Sequence, residues 1–140
     1  MIEKTYQGQA TPGETRKLAK SVSQFLRQQS LHSDITYEIE LAITEACSNV
    51  VLHSYADYEY AGEIEVYLKL DWDYILIKIN DWGKPFPGPT EEVFEFRPED
   101  ESGRGVYIIS QLMDKYYFEN TPHKNKLILE KKLEEQVWKH

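Results

Sequence analysis

Near Asp57–Gly62 the apolar residues change period, and that change does most to limit what the chain can become. Before it they recur at helical spacing. Leu18, Val22, Phe25 and Leu26 share one face, and Ile39, Ala42, Ile43, Ala46 and Val50 share another. After it they alternate. Ile64, Val66, Leu68 and Leu70 lie on one side of a strand, and Ile75, Ile77 and Ile79 on one side of the next. Helices that must bury a stripe and strands that must bury a face can cover one another. The chain therefore reads as α+β: two layers, with helices on one face of a mixed, mostly antiparallel sheet.

Local signals set the boundaries. Thr11-Pro12-Gly13-Glu14 offers a capping hydroxyl, a proline at the first helical position and an acid soon after, predicting a helix to about Gln29. Ser33-Asp34 predicts the cap of a second helix that runs to about Tyr55. A short strand is expected at Ile2 to Tyr6, and Asp71-Trp72-Asp73 is short enough to close an antiparallel hairpin. A third helix is expected from about Gly105 to Met113, with closing strands at about Lys115 to Glu119 and Lys126 to Leu133. Residues 84–102 hold Pro85, Pro87, Gly88, Pro89, Pro98 and many acids, a loop long enough to suggest a lid. No repeat or composition break divides the 140 residues, so a single domain over 1–140 is expected.

Composition narrows the functional classes. The formal charge of -8, from 16 basic and 24 acidic side chains, argues against a nucleic-acid surface, which needs clustered Lys and Arg. One cysteine, Cys47, excludes an intrachain disulfide and a multi-cysteine metal site. No apolar run is long enough to span a membrane, and the N-terminus lacks a signal-peptide layout. A cytoplasmic location is the expectation.

Three short motifs carry candidate chemistry. On the second helix, Glu45, Asn49 and His53 are spaced i, i+4, i+8 beside the apolar arc. An Asn oxygen is a suitable hard ligand for Mg²⁺, and a neighbouring Glu can accept a proton from an attacking hydroxyl. On the helix alone, a solvated flank fits Glu45 and Asn49 equally well, and His53 reads as a structural histidine. After the second strand of the hairpin comes Asp81-Trp82-Gly83, which can present a carboxylate at a pocket floor with no side chain blocking the approach. A plain Asp-x-Gly turn explains the same residues. Then Gly103-Arg104-Gly105 opens the third helix, where free backbone N–H groups and an arginine can face an anion. A simple helix-start turn explains these as well. No Walker A sequence is present.

Glu-x-x-x-Asn on a helix, Asp-x-Gly after a strand, a long loop and Gly-x-Gly opening a helix occur in that order between Glu45 and Asp114. This order resembles the nucleotide-binding boxes of the GHKL ATPases. The Glu45-Ala46-x-x-Asn49-x-x-x-His53-x-Tyr55 helix, with a last helix ending in Met113-Asp114, is most similar to the small bacterial anti-sigma-factor serine/threonine kinases. The resemblance implies the Bergerat ATP-binding fold. It also implies that Asn49 ligates Mg²⁺, Glu45 is the catalytic base, and Asp81 reads the adenine amine with Gly83 making room for the ring. Gly103, Arg104 and Gly105 would bind the phosphates, and residues 86–102 would form the ATP lid. The implied reaction is γ-phosphoryl transfer to a serine or threonine of an anti-anti-sigma (STAS-domain) protein. The implied partners also include a sigma factor and a second copy of the chain. Arg16 is at most a partner contact and otherwise an ordinary solvated arginine.

Two departures stand out. Pro85 replaces the second glycine usual after Asp-x-Gly, stiffening the lid hinge. The lid is acidic (Glu91, Glu92, Glu95, Glu99, Asp100, Glu101), which is unfavourable beside a triphosphate. A non-catalytic ATP-binding regulatory module is the alternative reading, although such a module has no need of Glu45.

Overall fold

A computed structural model describes residues 1–84 and 101–139, without the side chains of 101–104 and 120. The elements run β1 (Ile2–Gln9), α1 (Pro12–Gln28), α2 (Ser33–Asn49), a π-helical turn (Val50–Ser54), β2 (Glu63–Leu70) and β3 (Tyr74–Asp81). They continue with α3 (Glu101–Leu112), β4 (Lys115–Asn120), β5 (Asn125–Lys132) and a 3₁₀ turn (Glu135–Val137).

The start of α1 follows its sequence. Thr11 caps it, its hydroxyl accepting from the Glu14 N–H at 3.2 Å, and Pro12 takes the first turn. Gln29 caps its C-terminus, and Ser30 beyond it adopts a left-handed conformation at φ 74° although it has a side chain. Helix α2 departs from expectation at both ends. His32 occupies its cap without a side-chain hydrogen bond, and Ser33 and Asp34 lie inside the first turn, where Asp34 complements the positive end of the helix. Its last stretch widens into the π-helical turn after Asn49. Helix α3 begins at Glu101 and not near Gly105, so Gly103 and Gly105 lie within it instead of before it. Lys131 Nζ donates to the Leu112 carbonyl and so satisfies its C-terminal end.

The five strands form one sheet in the order β1-β2-β3-β5-β4, and every described neighbour pair is antiparallel. β1 extends to Gln9, beyond the expected Tyr6, because it pairs with β2 along its full length. Ile64, Val66, Leu68, Ile75, Ile77, Ile79, Leu127 and Leu129 point into the core against Leu26, Ile39 and Ile43 of the helices. Helix α2 lies between α1 and α3 and against β3. The register places Ile64, Asp81 and Asn125 in one cross-strand row. The inward-facing residues thus change from apolar to polar at the end of the sheet where β3 gives way to Trp82. Leu133 N–H donates to Asp73 (2.9 Å) and Trp138 Nε1 to the Trp72 carbonyl (2.8 Å), so the C-terminal segment holds the hairpin tip. Among the described residues, no helix is long and apolar enough to cross a membrane.

Candidate functional site

The polar end of the sheet meets the end of α2, and the sequence-identified residues gather there. Glu45 and Asn49 stand one turn apart on α2, and Gly105 of α3 lies against both. A Cβ added to Gly105 would stand 3.2 Å from Glu45 Oε2 and 3.4 Å from Asn49 Oδ1. Glycine inside a helix costs about 1 kcal/mol relative to alanine. Here it leaves the space into which a carboxylate and a carboxamide project. Asn49 is 5% exposed, and its Nδ2 has no hydrogen-bond partner among the described residues. Buried amides in folded proteins are rarely left so, and a ligand is one remedy.

Asp81 ends β3 facing the same corner and is 4% exposed. Its Oδ1 accepts from Gly83 N–H at 3.0 Å and from Asn125 Nδ2 at 2.8 Å. Burial pushes its pKa above the ordinary carboxylate value; hydrogen bonds from Asn125, Gly83 and Ser54 pull the other way. Asn49, Ser54, Asp81 and Asn125 line one narrow pocket with Ala46 and Ile79. Its free space is about 20 Å³. That holds a single water, whereas small-molecule sites run to about 300 Å³ or more, so a ring-sized ligand must part the walls.

The chain after β3 is pinned from two sides. Lys84 N–H donates to the Ser54 carbonyl at 2.7 Å, and Trp82 N–H to the Tyr55 hydroxyl at 3.0 Å. The same hydroxyl donates to the Glu63 carbonyl at 2.7 Å. A Cβ on Gly83 would overlap the Ser54 carbonyl oxygen and stand 2.7 Å from its carbon. The space that Gly83 leaves is therefore filled by backbone of the π-helical turn. Such turns recur at functional sites. Here it directs the Ser54 carbonyl and the Tyr55 ring at the residues that follow Asp81.

The structure thus brings Glu45, Asn49 and Gly105 into one group and joins Asn49 to Asp81 through one pocket. Gly103 belongs to the first turn of α3 and Arg104 follows it, but their surroundings, like Pro85 and lid residues 86–100, lie outside the described residues. His53 sits in the π-helical turn and does not line the pocket. Arg16 is exposed on α1. Among the described residues, no group of three or more His, Cys, Asp or Glu could hold a metal ion. Asn125 is a site residue that sequence reasoning missed, whereas Ser54 and Tyr55 fell within the helix motif but were given no role there. Asn125 is 44 residues from Asp81, and only the β3–β5 register joins them.

Residues 8–131 match the family profile of the histidine kinase-like ATPase domain. The serine-protein kinase RsbW of Staphylococcus aureus strain JH9 is 31% identical over 98 residues, covering 64% of this chain and 61% of that protein. RsbW of strain Newman gives the same figures. The chain therefore spans 61% of the length of these curated relatives. The solved RsbU and RsbW domains of Rv1364c from Mycobacterium tuberculosis match with a TM-score of 0.69 at 17% identity, over 95% of this chain and 32% of that one. That likeness carries the fold alone, and it agrees with the α+β architecture seen here. With the family profile matched over most of its length, the chain belongs to the histidine kinase-like ATPase domain family.

Proposed function

We propose that this protein binds ATP with Mg²⁺ and transfers the γ-phosphoryl group to a serine or threonine of an anti-anti-sigma (STAS-domain) partner. The observation that carries the reading is the convergence of Glu45 and Asn49 on the gap left by Gly105, beside a pocket floored by Asp81. The 31% identity to a serine-protein kinase supports the reaction class.

Each residue then has a task. Asp81 takes the exocyclic amine of adenine, and Asn49 offers Oδ1 to the metal. A lone carboxamide beside one carboxylate fits a cation that keeps its waters and takes its remaining ligands from phosphate. Mg²⁺, when bound, would supply charge neutralisation on the phosphates. Glu45 accepts the proton of the attacking hydroxyl as its oxygen bonds to the γ-phosphorus and ADP departs. Such transfer depends on positioning and electrostatics more than on covalent chemistry, so a small set of groups suffices. Gly103, Arg104 and Gly105, at the start of α3, line the phosphates. The same reading carries a cytoplasmic homodimer that sequesters a sigma factor.

The test is incubation of the chain with Mg-ATP and a panel of STAS-domain proteins, followed by phosphopeptide mass spectrometry. Phosphoserine or phosphothreonine on a partner, lost with Glu45→Gln, is the expected result. ATP binding with no transfer to any partner would leave a regulatory ATP-binding module instead.

A further inference from the structure

Asn125 makes three hydrogen bonds at the site, and its role is not contained in the motifs. Its Nδ2 donates to Asp81 Oδ1 at 2.8 Å, to the Gly83 carbonyl at 3.1 Å and to the Lys84 carbonyl at 3.1 Å. The side chain is 6% exposed and faces Asp81 directly across the β3–β5 pair. One amide therefore ties the carboxylate at the end of β3 to the backbone that follows it.

We propose that Asn125 is the positioning residue for base selection, holding Asp81 so that the site takes amino-purines in preference to oxo-purines. The proposal rests on the nucleotide-binding reading above. Oδ1 of Asp81 already accepts from Gly83 N–H and Asn125 Nδ2, which fills the two lone pairs of that oxygen. An incoming donor is left the second oxygen, which it shares with the hydrogen bond that Ser54 makes to this carboxylate. Adenine presents an amine donor where guanine presents a carbonyl acceptor. A fixed, ionised carboxylate pairs with the first and repels the second. Without the Asn125 donor, the buried carboxyl is free to turn or to hold a proton, and a protonated carboxyl can donate to the guanine carbonyl. The contacts to Gly83 and Lys84 keep the backbone from retreating when the base enters.

The experiment is titration of the full chain with ATP and with GTP, both with Mg²⁺, for wild type, Asn125→Leu and Asn125→Asp. Wild type is expected to prefer ATP. Asn125→Leu keeps the branched shape at a larger volume and loses the donor, so the ATP:GTP affinity ratio should fall about tenfold. Asn125→Asp places two carboxylates together, where one proton is shared as pH falls. Its ratio should be lost at alkaline pH and recover toward wild type as the pH is lowered and the pair takes up a proton, which a merely structural role would not produce. Tyr55 and Lys126 lie near this carboxylate as well. Burial raises the Tyr55 pKa from its alkaline ordinary value, and Lys126 pairs with Glu119 at 4.0 Å. If Asn125→Leu does not fold by circular dichroism, the pH response of Asn125→Asp decides. An ATP preference unchanged in both variants overturns the proposal and leaves ATP binding intact. Wild type binding neither nucleotide overturns both.

Discussion

Gly105 stands where a side chain would press on Glu45: its added Cβ would lie 3.2 Å from Oε2, at the far end of a flexible side chain. Gly105→Ala should therefore leave stability within about 1 kcal/mol of wild type, the gain in helix propensity offsetting the crowding. The displaced carboxylate should cost phosphotransfer about tenfold or more, since misplacement near an ångström carries that scale of penalty. Urea denaturation and a transfer assay on the same preparation check both halves. A variant with full transfer rate would show that the gap at Gly105 has no part in the chemistry.

Gly83 is different in kind, because its neighbour is the Ser54 main chain. Backbone of a packed turn cannot swing aside as a Glu side chain can. Gly83→Ala should destabilise the fold by about 1–3 kcal/mol, read as a lower denaturation midpoint. It should also break the Lys84 N–H bond to the Ser54 carbonyl, which is visible as faster amide exchange at Lys84.

The raised pKa of Asp81, caused first by burial, has a definite sign. In the window between its ordinary and its raised value the folded state holds more proton than the unfolded one, so its contribution to stability falls as pH rises. Above the raised value the full cost of the buried charge is present. Asp81→Asn removes that charge with little change of shape. It should match or exceed wild-type stability at neutral pH, with the difference shrinking as the medium is acidified toward the ordinary carboxylate range. ATP binding should be lost in the same variant. Thermal melts across pH and a nucleotide titration test the pair, and a variant less stable at pH 7 than at pH 4 relative to wild type would contradict it.

Ser30 holds φ 74° at the end of α1, where a side chain strains the backbone by about 1–2 kcal/mol in the left-handed region. Its carbonyl accepts from Lys139 N–H at 2.7 Å, so the C-terminal segment helps hold the turn. Ser30→Gly should stabilise the chain by about 0.5–1 kcal/mol, less than the full strain because glycine also loosens the unfolded chain. A denaturant midpoint no higher than wild type would contradict this.

Cys47 is wholly buried on α2, and burial pushes its thiol up to about 12. The thiolate is the reactive species, so an aromatic disulfide reagent at neutral pH should label Cys47 only after unfolding. The labelling rate then reports opening of the core. Saturating Mg-ATP should slow it, because a ligand bound to the folded state alone suppresses unfolding.

Legibility in the sequence followed the range of the interaction. The cap of α1 was readable because Thr11 and Glu14 are three residues apart. The inward faces of β2 and β3 were readable because alternation needs only neighbours. The start of α3 was misread by four residues, since glycines suggest a boundary while packing against α2 lets the helix run past them. Ser33 and Asp34 resemble a cap, yet His32 takes the position because its N–H is drawn to the Val137 carbonyl at 2.9 Å.

The same division holds at the site. The amino-acid order alone determined the helical and alternating segments and the α+β class, while the grouping of Glu45, Asn49, Asp81, Gly83 and Gly105 came from the resemblance of their order to the GHKL boxes. Periodicity and spacing are local, so they survive in a string of letters. Only the tertiary structure decided that Asn125 faces Asp81, that the end of α2 opens into a π-helical turn, and that Gly83 makes room for main chain. Each of those depends on strand register or on contact between segments far apart in sequence, where the chain's own pattern carries no record of the partner.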